Sequence, residues 1–408
     1  MMKNKTTLLK RIFLDMMKNK TTLLKRILLV ISSLVISLLV AEGIVRLLFG
    51  GRIVLFPRFH DTASYGKYTI RRLRPNTTFW HHSVDGSWKF VTNSKGLRSD
   101  TEYSYDKPNG ALRVLCLGDS NTEGFECHQD KTYSSVIQRF LGKRGVKAEV
   151  INAGVSGFGT AEALLFLENE GIKYSPNVVV LGYFANDVDD NIKADLFRLN
   201  NGALVENKYE HAPGARVTAL INQIAPLRWL SQNSYTYSIA FNTVWEWRKR
   251  ALLTEKERQM ATEFAVKQED NDIDVTILKN DLTIAIINRM HGFCQSNKVL
   301  FVLLDIPQLE KNGHDFRSSI PNELVAQFSQ GSDAMIRSTN ALMDYQGVTD
   351  LFVPHGQRHI SETTHMLLGV ATAKEIIKQL NLPSSRNVTE EIRSANAPYS
   401  QPAAVGKQ

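Results

Sequence analysis

The chain has 408 residues, of which 43% are hydrophobic and 22% charged, a composition that is typical of globular proteins and excludes a disordered or collagen-like chain. Its net charge of +8 is concentrated in residues 1–26, where eight basic residues face one acidic one, so the remainder is close to neutral. A nearly neutral folded part argues against a nucleic-acid partner. Three cysteines, Cys116, Cys127 and Cys294, exclude a disulfide framework and a cysteine-based zinc site but permit one disulfide.

The basic tail, residues 1–26, contains a duplication, because the sequence of residues 1–12 recurs unchanged at 16–27. A single recurrence is too short an array for a repeat fold. We interpret it as a duplicated or over-extended start, with Met16 or Met17 as an alternative initiator.

An apolar segment, residues 27–49, follows the tail and has no charge before Glu42. As a helix it would be ~34 Å long, enough to cross a bilayer, with Glu42 and Arg46 paired near the outer interface. The basic tail would stay in the cytoplasm, so we predict a single-pass signal-anchor with the rest of the chain exported. The alternatives are a cleaved signal peptide, for which no small-residue cleavage site is evident, and a buried helix of a soluble protein.

Residues 50–110 are polar and aromatic and are predicted to form an exported stem. Their clearest signal is Asp85-Gly86 between two aromatic runs, residues 79–82 and 88–91, which predicts a β-hairpin.

From residue 111 to residue 383 apolar runs alternate with helical patterns. The runs lie at 114–117, 146–151, 177–184, 298–306 and, more weakly, 348–353, and the helical patterns lie at 132–144, 160–170 and 275–296. Continuous apolar strands separated by helices predict one α/β domain, a doubly wound, flavodoxin-like parallel sheet of five strands with helices on both faces. Residues 192–274 form a long insertion without sheet character, a helical lid or a disordered insert, and residues 384–408 are predicted to be a disordered tail.

Three polar blocks follow the first three strands. The first is Gly118-Asp119-Ser120-Asn121, the second is Asn152-Ala153-Gly154, and the third is Ala185-Asn186-Asp187. A serine at a strand-to-helix turn exposes its hydroxyl above the sheet, as a nucleophile requires. In isolation Gly154 reads as a turn glycine and Asn186 as a capping residue, but their positions at consecutive strand ends favour a shared site.

These blocks resemble the SGNH (GDSL) hydrolase superfamily, and the stretch 91–98 resembles the leader of its membrane-anchored members. The resemblance covers residues 113–380 and implies an ester hydrolase with Ser120 as nucleophile. It implies that Ser120, Gly154 and Asn186 form the oxyanion hole.

The family's base is a histidine near the C-terminus, three residues after an aspartate. His359 matches the family downstream, with Ser361 and a helix after it, but Gly356 occupies the aspartate position. His365 is the alternative base, with Glu362 three residues before it. We favour His359, oriented by Glu362, Asp350 or a backbone carbonyl, or acting in a Ser–His dyad.

The sequence therefore predicts an extracytoplasmic serine esterase that needs neither cofactor nor metal. Its predicted substrate is an ester, and we hypothesise an acylated cell-envelope glycan from its location alone. A metal site built from His355, His359 and His365 is not expected, since no metal-binding motif is present. The alternatives are an O-acyltransferase that uses the same residues and an inactive glycan-binding module. The aromatic residues of the insertion are interpreted either as core residues or as a surface on which a sugar stacks.

Overall fold

The computed structural model describes residues 2–50, 53, 55, 59–268, 274–310, 315–343, 345, 350–356 and 359–382. The predicted tail at 384–408 lies outside the described residues. No cis peptide bond occurs within these ranges.

The N-terminal segment is one continuous helix, α1 (Met2–Phe49). Its part from Lys25 to Phe49 is long and apolar enough to cross a membrane, and the apolar side chains there are exposed, Leu47 by 85%. Exposed leucines and isoleucines on every side of a helix are costly in water. The described residues contain no other helix with this combination of length and composition.

Four strands then pair as two antiparallel hairpins. In chain order they are β1 (His60–Tyr65), β2 (Tyr68–Leu73), β3 (Thr78–Ser83) and β4 (Gly86–Val91). In the second hairpin, Trp80 lies opposite Lys89 and His82 opposite Ser87, with Asp85 in the turn. The side chains of His81 and Trp88 point inward and are buried, whereas that of Trp80 is exposed.

Strands and helices alternate in the next hundred residues. In chain order they are β5 (Leu112–Gly118), α2 (Ser120–Glu123), α3 (Tyr133–Gly142), β6 (Ala148–Asn152), α4 (Thr160–Asn169), β7 (Val178–Tyr183) and α5 (Asp187–Ala194). Every residue of β7 is buried, as expected of a central strand in a sheet covered on both faces.

The insertion is mostly helical, but it also contains short strands that its sequence pattern did not indicate. Its elements are β8 (Phe197–Asn200), β9 (Ala203–Glu206), β10 (Glu210–His211), α6 (Ala215–Gln223), α7 (Ala225–Asn233) and α8 (Tyr235–Gln268). The first two strands form a hairpin, and β10 adds in parallel to β2. The insertion is therefore joined to the stem by backbone hydrogen bonds.

The rest of the chain completes the sheet. Its elements are α9 (Val275–Ser296), β11 (Leu300–Asp305), β12 (Gln308–Leu309), β13 (Phe316–Arg317), α10 (Val325–Gln330), β14 (Ala334–Ile336), α11 (Ser338–Ala341) and α12 (Glu362–Gln379). The central sheet has the order β14-β11-β7-β5-β6, and all its pairs are parallel. The predicted doubly wound five-stranded sheet is confirmed.

The fifth strand is not where the sequence placed it. The edge strand is β14, three residues long, and the weak apolar run at 348–353 is not a strand of this sheet in its described part, where Phe352 only forms an isolated bridge to Ile360. Residues 348 and 349 lie outside the described ranges. Three residues are too few to produce a recognisable apolar pattern, so the run at 348–353 was the stronger signal.

The two faces of the sheet have separate cores because successive side chains of a strand point to opposite faces. On β5, Val114 and Cys116 belong to the core beneath α3 and α12, and Leu115 and Leu117 belong to the core beneath α4 and α9. Both cores end at the carboxyl edge of the strands, where the polar blocks begin.

The N-terminal helix contacts the insertion through Glu42 and Arg46. The Glu42 carboxylate accepts hydrogen bonds from the backbone N–H groups of Tyr235 and Thr236, at 3.0 Å each, and from the Ser234 hydroxyl at 2.8 Å. Arg46 pairs with Glu42 at 2.7 Å and donates to the Asn233 carbonyl. A carboxylate from α1 thus caps the start of α8, a position where the helix dipole favours negative charge.

We predict that Glu42→Ala frees the start of α8. Loss of a carboxylate cap costs about 1 kcal/mol, so the amides of Tyr235 and Thr236 should exchange with deuterium about five-fold faster. Glu246→Ala, on the exposed side of the same helix, is the matched control and should leave these amides unchanged. Equal exchange in wild type and Glu42→Ala would show that the cap does not hold the insertion in solution.

Candidate active site

The turn after β5 is shaped by steric restriction. Gly118 has φ +147°, and a Cβ there would lie 2.2 Å from Thr122 Oγ1 and 2.6 Å from the Gly182 carbonyl, so no other residue fits. Asp119 then caps α2, its carboxylate accepting from the Asn121 N–H at 2.8 Å. As a result Ser120 begins α2 at the carboxyl edge of the sheet with its side chain partly exposed.

Ser120 and His359 are in hydrogen-bond contact across 239 residues of sequence. The distance from Ser120 Oγ to His359 Nε2 is 2.9 Å, and His359 Nδ1 is 2.5 Å from the Gly356 carbonyl oxygen. A carbonyl only accepts, so Nδ1 carries a proton, and Nε2 of the neutral ring is free to accept the serine proton. Such a pair can generate a serine nucleophile.

The alternative base, His365, lies in the core instead. It is fully buried on α12, its Nδ1 accepts from the Tyr133 N–H at 3.2 Å, and its ring stacks on that of Tyr133. Burial lowers the pKa of His365 to about 3. It packs α12 against α3 as a neutral side chain.

The two carboxylates considered as orienting groups do not reach His359. Glu362 pairs with the His128 ring and accepts from the His128 N–H at 3.0 Å. The carbonyl of Asp350 accepts from the Ser361 hydroxyl at 2.8 Å. Neither carboxylate lies within ion-pair distance of the His359 ring among the described residues.

A different carboxylate, which the sequence did not indicate, lies beside the base. Glu126 Oε2 is 3.7 Å from His359 Nδ1, and Glu126 Oε1 is 3.5 Å from His81 Nε2. Glu126 belongs to the loop after α2 and resembles an ordinary loop acid in sequence. The stem hairpin packs over that loop and places His81 beside the other carboxylate oxygen.

The two remaining predicted residues lie at the adjacent strand ends. Gly154 packs against the serine turn so closely that a Cβ would lie 2.2 Å from the Glu123 nitrogen, and its own N–H donates to Asn152 Oδ1 at 3.0 Å. Asn186 is exposed, and its amide donates to Asp190 at 2.9 Å.

Buried acids lie beneath the serine turn. Burial raises the pKa of the Glu123 carboxyl to about 7, although its oxygen Oε2 accepts from the Ser156 N–H and hydroxyl. Burial likewise raises the pKa of Asp119 to about 6. Through its hydrogen bonds with Ser156, Glu123 connects the loop that contains Gly154 to the helix that begins with Ser120.

Other chemistries find no support in the described residues. No group of three His, Cys, Asp or Glu side chains there could hold a metal ion. Cys116, Cys127 and Cys294 are all buried free thiols, and burial raises the pKa of each. They are poorer candidate nucleophiles than the partly exposed Ser120.

Residues 116–275 match the profile of the GDSL-like lipase/acylhydrolase family. This segment contains a GDSL-like lipase/acylhydrolase domain, the family that the sequence blocks predicted. The match supports a hydrolase that acts on ester bonds. No curated protein matches the chain.

The solved structures that match the chain at low similarity include several esterases. A lipase/acylhydrolase from Enterococcus faecalis is 16% identical, with a TM-score of 0.35 and coverage of 66% of this chain and 96% of its own. A mutant of Axe2, an acetylxylan esterase from Geobacillus stearothermophilus, is 15% identical, with a TM-score of 0.37 and coverage of 65% and 94%. The esterase EstA from Pseudoalteromonas sp. is 15% identical, with a TM-score of 0.33 and coverage of 66% and 98%. Similarity at this level carries no argument about substrate.

We predict that Arg98→Lys destabilises the loop behind the serine. The buried Arg98 guanidinium donates to the carbonyls of Glu123 and Cys127 at 2.6 Å each and to that of Gly124, under the ring of Phe90. A lysine reaches fewer of these acceptors, so the free energy of unfolding should fall by about 2–4 kcal/mol. Urea denaturation measures it, with the exposed Arg228→Lys as control, and an unchanged midpoint would contradict this role.

Proposed function

We propose that the protein is a serine esterase in which Ser120 attacks the ester carbonyl while His359 accepts its proton. The observation that carries the proposal is the 2.9 Å contact between Ser120 Oγ and His359 Nε2, with Nδ1 held by a carbonyl. The protonated histidine then gives its proton to the leaving alcohol, and water releases the acyl group from Ser120 by the reverse sequence. This contact also argues against an inactive binding module.

The oxyanion is proposed to bind the N–H groups of Ser120 and Gly154 and the Asn186 amide. The close packing of Gly154 on the serine turn supports this arrangement. In the resting structure Gly154 N–H donates to Asn152, so it must exchange a neutral amide oxygen for the oxyanion. That exchange is favourable because a charged acceptor forms a stronger hydrogen bond than a neutral one. Since the oxyanion develops only as the serine attacks, the Gly154 N–H stabilises the transition state more than the bound ester.

We further propose that α1 anchors the enzyme as a single-pass helix with the basic tail in the cytoplasm and the active site outside. Length, composition and exposed apolar surface of Lys25–Phe49 support the span, and the positive-inside rule supports the orientation. In that location the proposed substrate is a short acyl ester on a cell-envelope glycan. Transfer of the acyl group to a sugar hydroxyl would use the same residues, and product analysis with an added acceptor glycan distinguishes transfer from hydrolysis.

We predict that Ser120→Ala and His359→Ala each lower kcat for p-nitrophenyl acetate by at least 10³-fold, because each removes one half of the nucleophilic pair. His365→Ala should reduce stability, since it leaves the Tyr133 N–H unpaired, but should keep kcat per folded molecule within about three-fold. Steady-state kinetics on the detergent-solubilised full chain measure this. Full turnover by Ser120→Ala, or loss of turnover in His365→Ala with His359→Ala active, would contradict the assignment.

A further inference from the structure

We propose that Glu126 is the carboxylate that orients and stabilises His359, in place of the aspartate that this chain lacks at position 356. This inference rests on the proposed function and adds a positioning residue to it. Glu126 acts from the loop next to the nucleophile, and its carboxylate approaches the same ring nitrogen, Nδ1, that the Gly356 carbonyl contacts.

The first support is that Gly356 and Glu126 share one space. A Cβ added at Gly356 would lie 2.0 Å from Glu126 Oε2. A side chain at 356 would therefore displace the Glu126 carboxylate from this position, and it would also press on Val353, whose Cβ would lie 2.6 Å from the added atom. The glycine at the aspartate position leaves room for a carboxylate that arrives from elsewhere.

The second support is the surroundings of the carboxylate. The Glu126 side chain has no exposure, and neither oxygen has a hydrogen-bond donor among the described residues. Two imidazole rings face the carboxylate: His359 Nδ1 lies 3.7 Å from Oε2, and His81 Nε2 lies 3.5 Å from Oε1. Burial alone would raise the pKa of Glu126, but the two histidines hold it at about 2, so the side chain is an anion at neutral pH.

The third support is backbone strain. Glu126 has φ +58°, a left-handed conformation that costs a glutamate about 1 kcal/mol or more. The neighbouring carbonyls of Gly124 and Cys127 are held by Arg98, which stabilises the loop in this form. A strained residue that delivers an unshielded carboxylate to a catalytic base is better explained by function than by packing.

The stem hairpin closes the arrangement from the other side. His81, on β3, contacts the second oxygen of Glu126, and burial lowers the pKa of His81, which favours its neutral form. In the hairpin turn, the Asp85 carboxylate accepts from the His355 N–H at 2.9 Å and contacts its Nδ1 at 2.8 Å. The hairpin thus holds both the acid and the turn that precedes His359.

The charge on His359 depends on few groups. Glu126 is the one carboxylate within 4 Å of its ring nitrogens in the described part of the chain. Asp119, Glu123, His81 and His365 act from farther away, and the Phe125 ring covers one side of the imidazole. Glu126 is therefore the carboxylate whose removal tests this contact most directly.

The test is the pH dependence of kcat/KM for Glu126→Gln in the full chain. The Gly356 carbonyl still fixes the ring tautomer, so kcat should fall by about 10–100-fold rather than by the ~10⁴-fold expected when the tautomer is lost. Without the anion the imidazolium is less stable, so the acid limb of the profile should move to lower pH by roughly one unit. A purely structural role would lower the amount of folded enzyme but would leave the limb in place.

Three variants serve as controls and rescue. Glu126→Asp keeps the charge and should keep the acid limb near that of wild type. Glu362→Gln and Asp350→Asn remove the carboxylates nearest in sequence and should not move it.

A second variant tests the shared space directly. Gly356→Ala should displace the carboxylate and move the limb in the same direction as Glu126→Gln. In the Glu126→Ala background the same alanine should cause no further movement, because the contact is already lost.

The inference would be overturned if the acid limb of the pH profile did not move in Glu126→Gln. It would also be overturned if the acid limb moved in Glu362→Gln or Asp350→Asn instead. These outcomes leave the proposed function intact as long as Ser120→Ala is inactive. Activity that survives Ser120→Ala would instead overturn the proposed function itself.

Discussion

The Arg98 guanidinium is the interaction on which the geometry of this active site depends. It is fully buried, and it binds three carbonyls of the loop that follows the serine turn. A buried cation is costly unless its donors are satisfied, and here peptide oxygens bind the two terminal nitrogens in place of a carboxylate, while Nε has no partner among the described residues. Burial lowers the pKa of Arg98, but not enough for a guanidinium to lose its charge at neutral pH. Because the loop is fixed at three points, it can keep Glu126 in a strained conformation.

The site is thus assembled from parts that lie outside the sheet as well as on it. The sheet supplies Ser120, Gly154 and Asn186 at adjacent strand ends, as open parallel sheets do. The stem supplies Arg98, and its hairpin covers the acid and the histidine turn. A partly buried arginine of β2, Arg71, links the two regions, since it donates at 2.8 Å both to the Ser156 carbonyl beside the site and to the Pro213 carbonyl of the insertion. Arginine side chains of the stem thus bind backbone carbonyls of the insertion and of the loops above the sheet. A pattern of apolar residues in the sequence does not predict such contacts.

Sequence reasoning succeeded where local pattern and local chemistry agree. The apolar runs that became β5, β6, β7 and β11 are continuous and mostly buried, so composition and the alternation with helical patterns sufficed. The serine turn was recognisable because its glycine and capping aspartate are local requirements of the chain. The edge strand β14 was missed because three residues produce no pattern.

The base was ambiguous for a different reason. His359 and His365 are six residues apart, and each matches half of the expected context. Burial distinguishes them, since α12 turns His365 into the core. Glu126 could not have been found, because its role depends on contacts with His81 and His359 that are distant in sequence. A glycine at the position of an expected acid indicates only that the acid is missing.

The most direct test of the central claim is covalent trapping of the nucleophile. The full chain in detergent is treated with an alkyl fluorophosphonate, which loses fluoride as the serine oxygen bonds to phosphorus, and its peptides are analysed by mass spectrometry. We expect one phosphonyl adduct, on the peptide that contains Ser120. We also expect labelling to be at least 100-fold slower in His359→Ala and nearly unchanged in His365→Ala. An adduct on another residue, or none on folded wild-type protein, would contradict the central claim.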